Sequence, residues 1–321
     1  MLGRSRELLQ FVIACGAALA ALTAGARAQS EGSWVMKAPL PATLDEVAVA
    51  YAGGKLHVMG GGVLGVIGPF HVAYDPATDK WSLRAPVPRA LDHMGATVLN
   101  GNIYLIGGFE RPADHDAQNV AYEYDPTLDT WRILAPMKAP RGSVGVVALD
   151  GKIHAIGGRE PGWTTVATHE VYDPLTNTWK ELASLPKARD HLAAGLIDGK
   201  IHVVGGRLTV STDRTGEHDV YDAKTDSWTL AAPMPTPRSG LAATLYKGLF
   251  MVLGGEFGNS VNSENEAYDV KTDSWRKLAP MPAGRHGTGA ATDGDHVYVP
   301  GGSLTNGGAG ATNQLIVFTL P

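Results

Sequence analysis

Cysteine is almost missing from this 321-residue chain, with Cys15 its sole representative. A disulfide framework and a cysteine-ligated zinc site are therefore excluded, as is any thiolate nucleophile beyond residue 15. Basic runs are missing too. Setting aside residues 1–28, with Arg4, Arg6, Arg27 and Glu7, leaves 24 basic and 31 acidic side chains and a net charge of −7. Nucleic acid is not an expected partner, since no basic stripe exists to neutralise phosphates, and anionic membrane surfaces are disfavoured for the same reason. Aromatic residues make up only 7% of the chain, so their positions carry information.

Long apolar stretches are confined to Leu8–Leu22, which is too short and too rich in glycine and alanine to read as a membrane span. Arg4 and Arg6 precede it and Ala26-Arg27-Ala28 follow. That arrangement predicts a secretory signal peptide over residues 1–28, cut after Ala28, and a periplasmic or secreted product without membrane insertion. Val12-Ile13-Ala14-Cys15 loosely matches a bacterial lipidation signal. The apolar stretch runs on past Cys15, where such a signal should already have ended.

What the chain does have is a beat. Trp34, Trp81, Trp131, Trp179, Trp228 and Trp275 are spaced by 47, 50, 48, 49 and 47 residues. Double glycines at 60–61, 107–108, 157–158, 205–206, 254–255 and 301–302 keep the same intervals. Two unrelated markers locked in phase define a repeat of about fifty residues, whose units bury their apolar faces only against one another. A single body over residues 29–321 is expected despite a length that would suggest two domains.

Within a unit the period is that of strands. Ser143–Leu149 alternates and ends at Asp150-Gly151, a two-residue hairpin turn, and Lys152–Ile156 returns to the double glycine. A third strand at Thr168–Tyr172 and a fourth carrying Trp179 follow, separated by turn residues. Equivalent hairpin turns are expected at Gly53-Gly54, Asn100-Gly101, Asp198-Gly199, Lys247-Gly248 and Asp293-Gly294. A Tyr-Asp pair begins seven residues before five of the Trp, a spacing that suits aromatic packing between blades. Four antiparallel strands per unit predict a propeller blade, with small-residue first strands such as Ala193-Ala194-Gly195 nearest the axis. The sixth unit stops without a Trp, and residues 32–38, carrying Trp34, parallel the fourth strand of the fifth unit. The N-terminal strand should therefore complete the sixth blade and close the ring.

Strand, Gly-Gly, Tyr-Asp, six residues and Trp together resemble the kelch motif, over essentially the whole chain after residue 28. The resemblance implies an all-β, six-bladed kelch propeller. It implies no single activity, because kelch scaffolds serve as adaptors, actin binders, a copper oxidase and a sialic-acid epimerase. The Gly-Gly, Tyr and Trp positions recur because each blade needs them. Arg141, Arg189, Arg238 and Arg285, each ten residues after a Trp, are expected to be scaffold residues as well.

In kelch propellers the ligand face is built from the blade-entry loops and the loops after the double glycine. The entry positions read Asp45-Glu46, Asp92-His93, Gly142-Ser143, Asp190-His191, Ser239-Gly240 and His286-Gly287. The positions after the glycines read Gly62, Phe109, Arg159, Arg207, Glu256 and Ser303. These residues should converge at one end of the channel as a solvated polar rim. The Asp-His pairs invite a metal or acid–base reading, but strand alternation would point Asp92 and His93 to opposite faces. No catalytic set, metal or cofactor is expected. Phe70, Phe109, Phe257 and Trp163 lie in the loops after the glycines, where exposed rings suit recognition.

The candidate ligand residues are thus Asp45, Glu46, Asp92, His93, Phe109, Arg159, Trp163, Asp190, His191, Arg207, Glu256 and His286. Gaps of 13, 16, 14, 15 and 13 residues between the second glycine and the Tyr predict a shallow, open face. That favours a binding module for a peptide, protein or glycan over an enclosed active site. The alternative is a sugar epimerase or mutarotase, on the resemblance to the exported N-acetylneuraminate epimerase. A copper oxidase resembling galactose oxidase is rejected, because its cofactor needs a cysteine cross-linked to tyrosine.

Overall fold

A computed structural model describes residues 31–63, 65–111, 115–209 and 213–321. The expected signal peptide, its expected cleavage after Ala28, and Cys15 lie outside the described residues. Among those described are six four-stranded antiparallel sheets, five of them running in chain order from an inner to an outer strand and the sixth taking its outer strand from the N-terminal segment. The third blade comprises Gly145–Leu149, Lys152–Ile156, His169–Asp173 and Thr178–Glu181. Its first hairpin turns at Asp150 (φ 50°) and Gly151 (φ 74°), the doubly left-handed turn that matches strand twist. Asp293-Gly294 differs. There Thr292 pairs with Val297, so the loop holds four residues, and Asp293 Oδ1 accepts from the Asp295 and His296 amides.

The ring closes through its termini: Ser33–Lys37 pairs with Leu315–Thr319, Trp34 opposite Phe318. Each repeat Trp donates from Nε1 to the carbonyl of an alanine in the preceding blade. Trp81 reaches Ala38 at 2.8 Å, Trp131 reaches Ala85 at 2.9 Å, and Trp34 reaches Ala279 at 2.9 Å across the closure. The Tyr and Trp of a blade sit directly opposite each other on its two outer strands, as Tyr172 and Trp179 do, rather than on adjoining blades.

The four recurring arginines are fully buried and hold the double-glycine corner. Arg141 donates to the carbonyls of Gly157 and Thr168 and meets Glu170 at 2.7 Å; Arg285 donates to Gly301. The second glycine of one blade donates in turn to the carbonyl of the next blade's arginine, Gly108 to Arg141 and Gly158 to Arg189. A Cβ on Gly107 would lie 2.2 Å from the Arg141 carbonyl oxygen, which is why glycine recurs at this corner. The corner locks every blade at the same height, so the loops on either side of it meet on one face.

Candidate functional site

The two sets of loop positions pair with each other, blade by blade. Asp45 bridges Gly62, Asp92 bridges Phe109, Gly142 bridges Arg159, Asp190 bridges Arg207, Ser239 bridges Glu256 and His286 bridges Ser303. Each bridge has two reciprocal backbone hydrogen bonds of 2.8–3.2 Å. The residue after each entry position is left-handed: Glu46, His93, Ser143 and His191 have φ of 52–54°, and glycine occupies the fifth and sixth copies. These residues join hands around the axis, His93 N donating to Glu46 O, Ser143 N to His93 O, His191 N to Ser143 O and Gly240 N to His191 O.

That left-handed turn corrects one expectation. Strand alternation does not apply at His93 and His191, so each imidazole folds back onto its neighbouring carboxylate. His93 Nδ1 lies 2.9 Å from Asp92 Oδ1, and His191 Nδ1 lies 2.6 Å from Asp190 Oδ1. The His93 and His191 rings also meet, 4.9 Å apart, over the small Ser143.

A circuit of charge follows. Glu46 lies between His93 Nε2 at 3.0 Å and His286 Nδ1 at 3.4 Å. His286 approaches Glu256 at 4.0 Å, and Glu256 takes Arg214 Nη2 at 2.9 Å and Arg207 Nη1 at 3.7 Å. Arg207 Nε returns to Asp190 Oδ1 at 3.0 Å, and Asp190 Oδ2 accepts from Arg159 Nη2 and the Thr165 hydroxyl. Most of these groups are buried, not a solvated rim.

Burial fixes their charge states through their partners. Dehydration alone would neutralise Glu46, yet the two imidazoliums hold its carboxyl well below the usual range. Burial likewise opposes protonation of His93 and His286, but the facing carboxylates push His93 well up and His286 to about 9. Asp190 is held low by the hydrogen bond and charge of His191 and by both arginines, against its own burial. Asp45 is the exception. Burial and the adjacent Glu46 raise it to about 7.

Above the circuit opens a cup of ≈ 840 Å³. Its lining includes Asp45, Glu46, Asp92, His93, Trp163, His191, Arg207, Glu256 and His286. The face is therefore not shallow. The short loops fold into two-stranded hairpins, such as Arg159–Glu160 with Thr164–Thr165 and Glu256–Phe257 with Ser260–Val261, which stand up as walls. Their tips expose Val66, Trp163 and Phe257 on alternate blades. Below the circuit, a channel of ≈ 180 Å³ is lined largely by glycine, alanine and valine, so Glu46, His93 and His191 form a partition between cup and channel.

Three candidates do not face the cup. Phe109 is 0% exposed, packed edge-on to His93 and so close to Gly142 that a Cβ there would lie 2.4 Å from its ring. It supports the floor from beneath, because its bridge to Asp92 turns the ring inward. Arg159 is buried against Asp190, and its guanidinium sits 5.0 Å from the centre of the Trp163 ring, which stays half exposed. Arg159 thus backs the Trp163 ring from the buried side. Asp190 lies behind His191, shared by two arginines.

Arg214, Asn259 and Asn306 line the cup without having been legible as candidates. Arg214 enters because it pairs back across its loop with Arg207, and no turn dipeptide in the sequence marks that register. Among the described residues, no set of three or more His, Cys, Asp or Glu side chains has a metal-holding arrangement, and no helix is long and apolar enough to cross a membrane.

A ring of six four-stranded blades, closed by its own N-terminal strand and cupped on one face, defines a six-bladed propeller. Residues 139–302 match the KLHDC2/KLHL20/DRC7 Kelch-repeats domain and residues 91–138 match the Kelch motif, so the chain belongs to the kelch-repeat family. The solved structure of YjhT has a similar fold, with a TM-score of 0.73 at 17% identity, over 88% of this chain and 96% of that one. Comparison with curated proteins finds no match.

Proposed function

We propose that this kelch propeller is a binding module that takes a glycan into the cup. The observation carrying the reading is Trp163, half exposed at the mouth and backed by the Arg159 guanidinium, above a floor of fixed polar groups. An aromatic plate over oriented donors and acceptors suits a sugar ring, which has apolar faces and a polar edge. The cup's volume falls within the range for small-ligand sites. Export, with cleavage after Ala28, belongs to the same proposal, and intact mass of material recovered outside the cytoplasm tests it.

A second reading, a sugar epimerase, draws on Asp45, the floor carboxyl whose raised value suits proton transfer near neutral pH. An array of glycans and peptides probed with the protein tests the first reading: glycan capture is expected, and capture of peptides alone would overturn it. Turnover of a captured sugar, followed by NMR, would move the assignment to the second.

A further inference from the structure

Two polar atoms in the cup are buried without a hydrogen-bond partner: Asp45 Oδ2 and Arg214 Nη1. Asp45 is 5% exposed and the Arg214 side chain 2%, so neither atom is compensated by bulk water. Leaving a buried charged donor unmatched is costly, and so is leaving a buried carboxyl oxygen unmatched. Their neighbours do not relieve them. Arg214 donates its other nitrogens to Glu256, whose carboxylate is already shared with Arg207. Asp45 lies beside Glu46, which is clamped by His93 and His286.

The two atoms come from the first and fourth blades, which stand opposite in the ring. A ligand completing both must span the cup. The complement of a buried guanidinium N–H is an oxyanion. On the adjoining sixth blade, a Cβ on Gly308 would lie 3.7 Å from Asp45 Oδ2, so glycine there leaves no side chain over the carboxyl.

Resting on the reading of the cup as a glycan site, we propose that its ligand is an oxyanion-bearing glycan, held by Arg214 at one end and by the acid form of Asp45 at the other. Binding is then linked to pH. The groups acting on Asp45 are Glu46 and Asp92, which raise its carboxyl, and His286 and His93, which lower it; burial is the largest influence and the net value is about 7. Above that pH Asp45 loses the proton it donates, and its charge then opposes an anionic ligand. Affinity therefore falls as pH rises, by about tenfold from pH 6 to pH 8 if only the acid form binds.

Calorimetric titration with glucuronate, a sulfated N-acetylglucosamine and glucose, at pH 6 and pH 8, tests this. At least one anionic sugar is expected to bind better than glucose and to weaken about tenfold at pH 8; which of the two binds tells carboxylate from sulfate. Asp45→Asn should remove the pH dependence, Arg214→Met should remove the preference for the anion, and Arg214→Lys should restore part of it. Equal binding of glucose, or an affinity flat from pH 6 to pH 8, overturns the inference. Carboxyl NMR of Asp45, assigned with the Asn variant, separates two failures. If no sugar binds while Asp45 titrates near 7, the glycan reading of the cup falls and the inference with it. If a sugar binds while Asp45 titrates near 4, only the inference falls.

Discussion

At the scale of single residues, Glu46 holds the floor together. Its carboxylate faces two imidazoliums from different blades, and removing it leaves His93 and His286 buried without that partner. Glu46→Gln is expected to cost about 3–5 kcal/mol, the range for breaking a buried ion pair. Chemical denaturation measures it, and a loss below about 1 kcal/mol would mean the circuit is not a structural unit. The identities of these residues were legible in the sequence, because the blades differ at positions fixed by the Trp beat. Their orientation was not. Whether His93 folds onto Asp92 depends on a left-handed φ that a histidine adopts without any sequence signal. Phe109 was misread for a related reason, since a ring in a loop can turn toward solvent or beneath the floor, and only the bridge to Asp92 decides.

At the scale of elements, three blades carry a buried histidine pair on their second and third strands: His57 with His71, His154 with His169, and His202 with His218. His71 Nδ1 lies 2.8 Å from the Ala85 carbonyl that also receives Trp131, so His71 Nε2 is left to accept from His57 Nδ1. That geometry requires His71 neutral, and the buried His57 Nε2, with no hydrogen-bond partner, disfavours a second proton on His57. Burial lowers His57, His154 and His202 to about 3 and His71, His169 and His218 to about 4. Between pH 6.5 and about 4 the unfolded chain binds protons these rings refuse, so stability falls as pH falls through that window. His93 and His286 act oppositely. Their raised values stabilise fully below about 6.5 and lose that contribution as pH rises toward 9. The melting temperature should therefore peak near pH 6.5 and drop steeply by pH 4.5. An equal or higher melting temperature at pH 4.5 would contradict the neutral pairing. The strands themselves were plain from the alternation and the Asp-Gly turns. The histidine pairs were not, because contact across neighbouring strands depends on a register that spacing within one strand does not report.

At the scale of the whole molecule, the closure of the ring was readable from the misplaced Trp34, and the structure pairs that strand with Leu315–Thr319. Removing residues 29–40 deletes the outer strand of the sixth blade and the Trp34 contacts to Phe318 and Ala279. Trp34 is partly buried, so its packing alone contributes less than the ~3–5 kcal/mol of a fully buried aromatic. The strand's ladder hydrogen bonds to Leu315–Thr319 are lost with it, and together these are a large share of a domain's net stability. The truncated chain should melt far below one beginning at Gln29, and calorimetry on the two decides. The depth of the cup was not readable, because loop length says nothing about whether a loop lies flat or stands as a hairpin wall.

The central claim is that the cupped face recognises a ligand while the Trp beat only builds the ring. Trp163 and Trp179 lie in the same blade and separate the two roles. Trp179 donates to Ala135 across the blade boundary and packs on Tyr172, whereas Trp163 stands half exposed at the cup's mouth. Titration of a captured glycan into the Trp163→Ala and Trp179→Ala proteins, with melting curves for both, is the most direct measurement. Trp163→Ala should weaken binding by about 1–3 kcal/mol with an unchanged melting temperature, and Trp179→Ala should lower the melting temperature. A Trp163→Ala protein that melts lower yet binds as tightly as the parent would contradict the account.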